Sequence, residues 1–326
     1  MQEVYFCKEI DKILDKIDYS KLGKKVAIKV HFGEKGCTTY INPEIAKKLC
    51  DKIKKLEKEP TLIECNVLYK GSRTNSTDHI KTAKEHGFNF CPIDILDGEN
   101  GSEFIEIDNC KIGKGIKKYD SLIVLSHFKG HALAGFGGAI KNVGMGLGSR
   151  AGKLHMHSSV KPHISSNCKG CGVCVNSCDV KAISIVNGKA KIDKKKCIGC
   201  AMCIAVCPYN QVKVPWISQT PKMLQKKIAE YTKSVLSLFP NPIFINVLEN
   251  ITKDCDCSSH SQKPIIDNIG FVYSKDIVAI DKASLDLANS SSKGKFNRIN
   301  IINKNNQINL AQKIKLGEKE YKLIEI

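Results

Sequence analysis

Eight of the sixteen cysteines fall into two runs of identical spacing. Cys168, Cys171, Cys174 and Cys178 follow C-x2-C-x2-C-x3-C; Cys197, Cys200, Cys203 and Cys207 repeat it, with Pro208 directly after. The N-terminal stretch is charged and lacks the basic, apolar and small-residue regions of a secretory signal. In a reducing compartment such a density of thiols is a ligand set rather than a disulfide framework. Three cysteines at two-residue gaps wrap a loop around one face of a compact group, while the fourth opens a short helix and reaches a second group. Gly170, Gly172, Gly199 and Ala201 sit between ligands and leave backbone amides free to donate to sulfur. Two zinc sites of four cysteines each would use the same number of thiols, but the doubled spacing and the Cys-Pro ending favour iron–sulfur clusters.

The segment from Asn167 to Pro208 resembles the two-[4Fe–4S] bacterial ferredoxins. On that resemblance cluster I is held by Cys168, Cys171, Cys174 and Cys207, and cluster II by Cys197, Cys200, Cys203 and Cys178. Between the runs, Ala182–Val186, Asn187-Gly188 and Ala190–Ile192 read as a hairpin on a type I′ turn. Asp179 stands where proline often follows the fourth cysteine. Lysines 169, 181, 189, 191, 194, 195 and 196 face only Asp179 and Asp193 in this segment, so an acidic redox partner such as a ferredoxin or flavodoxin is expected.

A second concentration of chemistry is Ser126–Ser158, SHFKGHALAGFGGAIKNVGMGLGSRAGKLHMHS. It brings together His127, His131, His155 and His157 with Lys129, Lys141, Lys153 and Arg150. Its glycines let the backbone approach a ligand and offer amides to an anion. His131, Lys141 and His157 are the candidate catalytic residues, and a small-molecule ligand is expected there. Cys255 and Cys257, in KDCDC, form a C-x-C pair. Read as an extended segment, it puts both thiols on one side, where they could clamp an additional metal or a third cluster. Asp254, Asp256, His260, Cys37 or a histidine of the glycine-rich loop would complete that site. Two thiols among aspartates repel one another, so raised thiol pKa values are expected until a cation binds. His31 ends the first strand read below, at the edge where α/β ligands bind.

These residues need a scaffold. Lys25–Phe32, Thr61–Cys65 and Ser121–Ser126 read as strands, and Glu44–Lys58 and Thr77–His86 as helices. After the cysteine runs, Pro221–Phe239 and Asp276–Ala288 read as helices and Pro242–Glu249 as a strand; Asn289–Asn306 reads as a solvated connection. The fold class is α/β: a mixed or parallel sheet body with an inserted small α+β ferredoxin-like two-cluster domain. The expected units are 1–164, first part of the body; 165–210, the insertion; and 211–326, second part of the body.

VHFGE, SHFKGHALAGFGGAIKNVGMG, CDC and the Ile277–Leu287 helix resemble domain-of-unknown-function family 362, whose members often carry a ferredoxin insertion. More distantly, HALAGFGGAIK is similar to a stretch of the nickel-pincer lactate racemase family. That resemblance implies a cofactor-tethering role for Lys141 and a nickel-ligand role for His157. Gly137 and Ala139 depart from that family's pattern, and Arg73 is the nearest match to its upstream arginine.

Lys plus Arg outnumber Asp plus Glu 51 to 33, a net charge of +18. Two [4Fe–4S]2+ clusters on four thiolates each would bring this to roughly +14. One tryptophan and 6% aromatic residues leave no stacking surface for nucleic acid. No apolar run is long enough to cross a bilayer, and a cytoplasmic protein is expected. The sequence predicts an iron–sulfur redox protein that passes electrons through two [4Fe–4S] clusters to a second ligand or metal site in the body, as an oxidoreductase reducing a small molecule. The alternative is an electron carrier or docking protein without a substrate of its own.

Overall fold

The computed structural model describes residues 1–158 and 160–326. Eight strands form one sheet: β1 (Gln2–Cys7), β2 (Lys25–Lys29), β3 (Glu59–Glu64), β4 (Ile93–Ile95), β5 (Ser121–His127), β6 (Ile243–Leu248), β7 (Gly270–Ser274) and β8 (Tyr321–Glu325). Their spatial order is β8-β1-β7-β6-β5-β2-β3-β4. Only β7 runs antiparallel to its neighbours; β4, β3, β2, β5 and β6 form a continuous parallel block. The protein is thus α/β, with a mainly parallel mixed sheet and several small hairpin sheets.

Parallel strands covered on both faces must be apolar on both. In β5 all seven residues are buried. Leu122 and Val124 enter one core, with the helices Ala139–Leu147, Pro221–Leu236 and Ile277–Ser291. Ile123 and Leu125 enter the other, with Ile10–Lys16 and Pro43–Lys55. Alternation along one strand therefore feeds two layers of helix.

Helix boundaries follow their caps. Asn42 accepts from the Glu44 N–H ahead of Pro43, and Asp276 accepts from Val278 and Ala279. Gly87, at φ 91°, follows the Ser76–Glu85 helix as its expected stop. The first strand is shorter than Lys25–Phe32: after Lys29 the chain leaves the sheet to form the site described below. Asn289–Asn306 is not merely a solvated connection. Phe296 is fully buried there and packs on Phe128 with ring centroids 5.4 Å apart. β1, β7 and β8 had no clear signal in the sequence. Among the described residues no helix is long and apolar enough to cross a membrane.

The sheet takes β1–β5 from before the cysteine runs and β6–β8 from after them. Between, the chain leaves and returns through a short antiparallel pair, His163–Ile164 with Val212–Lys213. The segment it encloses has its own small core.

Candidate functional site

The parallel block reverses its order of growth between β2 and β5: β3 and β4 lie on one side of β2, β5 and β6 on the other. Loops leaving neighbouring strands at such a switch diverge and open a crevice at their carboxyl ends. A cavity of about 410 Å³ lies at these ends. His31 follows β2, Glu64 and Cys65 close β3, His127 closes β5, and Cys255 and Cys257 lie on the loop after β6; all line it. The glycine-rich segment forms another wall, with His131, Lys141, Lys153 and His157. The three candidate catalytic residues, His131, Lys141 and His157, therefore share one cavity.

His155 does not join them. Two residues from His157 on the Arg150–His157 helix, it points about 200° away, since each helical residue turns 100°. Its Nδ1 meets the Tyr231 hydroxyl at 3.0 Å. Arg150 is fully buried outside the cavity, bonded to Thr74 O, with its backbone N–H donating to Asp97 at 3.1 Å. The glycines serve packing more than anion binding. A Cβ on Gly138 would lie 2.4 Å from Asp281 Oδ1, on Gly144 2.3 Å from Ile228 O, and on Gly146 2.4 Å from Lys29 Cε. Asp281 accepts the N–H groups of Ala139 and Ile140 at 2.7 and 3.0 Å, fixing the start of the helix that carries Lys141.

His131, His157 and His31 are held neutral. Burial pushes His131 far below its ordinary pKa, and Lys141, His157 and Lys129 add to the effect. Burial, then Lys141 and Lys153, takes His157 down to about 3. His31 is lowered by burial and by Arg73 and three lysines. The His131 Nδ1 accepts from the N–H groups of Leu133 and Ala134 at 3.2 and 3.0 Å, so its proton resides on Nε2. His131 is thus a neutral donor. His157 packs edge-on against Trp216, ring centroids 4.9 Å apart, and its lone pair is free of a proton at neutral pH.

His127 is spent on structure: Nδ1 lies 2.9 Å from Asp256 Oδ2 and Nε2 2.9 Å from Glu249 O. Lys129 Nζ meets the same carboxylate at 2.7 Å. Burial opposes charge on Asp256, but His127 and Lys129 outweigh it and hold its pKa well below the carboxylate range. Arg73 and Tyr69 form a further wall. Arg73 Nε reaches Glu34 at 3.3 Å, Nη2 donates to the Tyr69 hydroxyl at 2.8 Å, and Nη1 stands 3.2 Å from His31 Nε2.

The C-x-C segment is a turn, not an extended run: the Ser258 N–H donates to Cys255 O at 3.0 Å. Both thiols nevertheless face the cavity, while Asp256 turns away to His127 and Lys129. With that aspartate neutralised behind the turn, the expected rise of both thiol pKa values does not occur. The Cys257 thiol donates to Cys255; with Lys141 and Lys129, this outweighs burial and drives Cys255 far below the ordinary thiol value. Cys257, the donor, is raised. Lys141 Nζ lies 3.6 Å from Cys255 Sγ. Of the suggested partners, Asp254 and the glycine-rich segment's His127, His131 and His157 line the cavity. Cys37 meets Thr39, and exposed His260 meets Ser258. Among the described residues no third His, Cys, Asp or Glu side chain joins Cys255 and Cys257 in a group able to hold a metal ion.

Glu64, Tyr69 and Trp216 escaped the sequence reading. Trp216, the one tryptophan, and Glu64, a charge ending an apolar strand, were the available signals.

In the cysteine segment two smaller cavities have crossed linings. Cys168, Cys171, Cys174 and Cys207 line one; Cys178, Cys197, Cys200 and Cys203 line the other. The two runs also share their backbone shape. Gly170, Gly172 and Lys181 have φ of 62°, 78° and 50°, and their counterparts Gly199, Ala201 and Asn210 have 71°, 61° and 51°. Ala182 N–H donates to Cys178 Sγ at 3.2 Å, and its counterpart Gln211 N–H to Cys207 Sγ at 3.1 Å. The hairpin pairs Ile183–Val186 with Lys189–Ile192 around Asn187 and Gly188, both at positive φ as a type I′ turn requires.

Among solved structures, the chain is similar to a protein from Thermotoga maritima, with TM-score 0.42, 10% identity, and coverage of 87% of this chain and 58% of that one. It is also similar to the lactate racemase apoprotein from Thermoanaerobacterium thermosaccharolyticum, with TM-score 0.44, 13% identity, and coverage of 89% and 58%. The chain thus spans less than two thirds of either. No curated protein matches it. Residues 26–286, most of the chain, match the family described as a domain of unknown function, DUF362, and the chain belongs to that family.

Proposed function

We propose that the protein is an iron–sulfur oxidoreductase: two [4Fe–4S] clusters in the cysteine segment serve the cavity at the carboxyl ends of the sheet, where a small molecule is reduced. Cys168, Cys171, Cys174 and Cys207 would hold cluster I, and Cys178, Cys197, Cys200 and Cys203 cluster II. The crossed cavity linings and the N–H groups aimed at sulfur fit these groups. When bound, the clusters supply one-electron transfer.

The observation that carries the reading is the loop after β3. Leu68 lines the large cavity and also packs into the small core around the cluster cysteines. Two residues on, Lys70 Nζ donates to Pro208 O at 2.8 Å and Cys207 O at 3.5 Å. One loop is a wall of both regions. A carrier without a substrate would not need the cavity's neutral imidazoles, fixed cations and thiols. The seven lysines of the segment are exposed and suit an acidic electron donor.

Anaerobic preparation is expected to give about eight irons and eight sulfides per chain. Cys178→Ala should impair cluster II although Cys178 lies in the first run. A Mössbauer spectrum with no cubane component would sink the proposal, and loss of cluster I in that variant would refute the crossed ligation.

A further inference from the structure

The cluster ligands leave two cavity cysteines unused. Cys255 and Cys257 are the first and third residues of the turn closed by Ser258. A turn brings its first and fourth Cα atoms within about 7 Å, and the first and third fall inside the reach of a disulfide bridge. Both thiols face the cavity. Lys141 stands 3.6 Å from Cys255 Sγ, a fixed cation for a thiolate. Another pair whose thiols influence one another, Cys50 and Cys91, lies in the apolar core on the Pro43–Lys55 side of the sheet, away from any cavity ligand. Thiol proximity alone therefore does not distinguish Cys255 and Cys257; proximity, a cation and an open cavity together do.

We infer that Cys255 and Cys257 form a dithiol–disulfide couple that collects two electrons, one at a time, for a two-electron acceptor bound in the cavity. This rests on the proposed clusters as the electron source. In the reducing direction the S–S bond breaks, two electrons and one proton enter, and the products are a thiolate on Cys255 and a thiol on Cys257. The asymmetry follows the structure: Lys141 Nζ stands 3.6 Å from Cys255 Sγ. Two clusters, each passing one electron, match the two electrons of the couple. The ultimate reductant is a low-potential one-electron donor, with dithionite as the laboratory probe. The turn loop lies against the cluster-facing loop, since the Tyr69 hydroxyl donates to Cys257 O at 3.3 Å one residue from Leu68 and Lys70.

The test uses cluster-loaded full chain, anaerobically, equilibrated with oxidised and reduced dithiothreitol. The peptide carrying Cys255 and Cys257 is then mapped by mass spectrometry after alkylation. The expected result is a disulfide between these two residues in oxidising buffer and two alkylated thiols in reducing buffer. Titration of the oxidised protein with dithionite should consume two electrons more in the parent than in Cys255→Ser/Cys257→Ser at equal iron and sulfide content. Lys141→Leu should keep the disulfide but slow alkylation of Cys255 at neutral pH by about tenfold, equivalent to about 1.4 kcal/mol. Free thiols in every buffer, with equal electron uptake by parent and variant, overturn the inference. So does a stoichiometric metal ion lost in the double variant with no disulfide in the parent. Iron and sulfide are measured on the same samples. Their absence would overturn the cluster reading, while the dithiothreitol arm still reads the thiol couple without clusters.

Discussion

The sheet body and the cysteine segment hold themselves together by different means. The body buries two large apolar clusters, one on each face of eight strands, and Asn246 Nδ2 ties the sheet to a covering helix, donating to Asp281 and Ser284 at 2.9 Å each. The segment has a far smaller core, and Cys174, Cys203 and Cys207 are among its buried members. A core so small cannot offset the entropy of ordering its loops, so under the proposed function its shape depends on the clusters its thiols would bind. The body carries its structure in apolar area, and the proposal gives the segment's to ligation.

Iron removal should split the two most sharply. With anaerobic chelation, the segment between Ile164 and Val212 is expected to become protease-sensitive, while peptides from β2, β5 and β6 keep their hydrogen-exchange protection. Equal loss of protection in both regions would break the comparison. A packing change in the body comes next. Gly144→Val places a Cβ 2.3 Å from Ile228 O and 2.7 Å from Thr232 Oγ1, where two helices touch. It should cost about 1–3 kcal/mol in denaturant unfolding, leaving the iron content of the folded protein unchanged.

Acid should act on the body first. Residues 165–210 contain no histidine, whereas buried His79 and half-buried His31, His131 and His157 lie in the body with lowered pKa values. An unfolded histidine gains its proton near 6.5, and folded His157 only near 3. The unfolded state therefore binds more protons between these values, and stability falls as pH drops from about 6.5. His157→Gln should flatten that slope in apo-protein; an unchanged slope would remove His157 from the account. The smallest effect belongs to Gly172→Ala in the segment. No atom lies within 4 Å of the added Cβ, and the counterpart Ala201 already holds the same left-handed backbone at φ 61°. The cost should be about 1 kcal/mol, read as iron retention within tenfold of the parent.

The comparison also explains what could be read before the structure. Ligation within the segment is local: cysteine spacing and Asn187-Gly188 specify loops and hairpin over a few residues, so both were legible. Strands β2, β3, β5 and β6 and the helices Pro43–Lys55, Ser76–Glu85, Pro221–Leu236 and Ile277–Ser291 were legible from apolar period, glycine stops and caps, whereas Ala139–Leu147 and Arg150–His157, inside the glycine-rich stretch, were not. β1, β7 and β8 were not, because short strands at one side of a sheet gain their order from pairing with strands far along the chain. β1 pairs with β7 across almost the whole sequence.

The sequence by itself determined which residues hold thiols, where the body's strongest strand lies, and that His131, Lys141 and His157 belong to one glycine-rich stretch. Only the tertiary structure decided which of its histidines face the cavity. Helix rotation sends His155 outward and His157 inward, and Asp256 consumes His127. It alone brought Cys255 against Lys141, and so turned an expected pair of repelled thiols into a thiolate and its donor. The physical reason is that charge balance at a buried site depends on distances between segments, and no spacing within one segment encodes those distances.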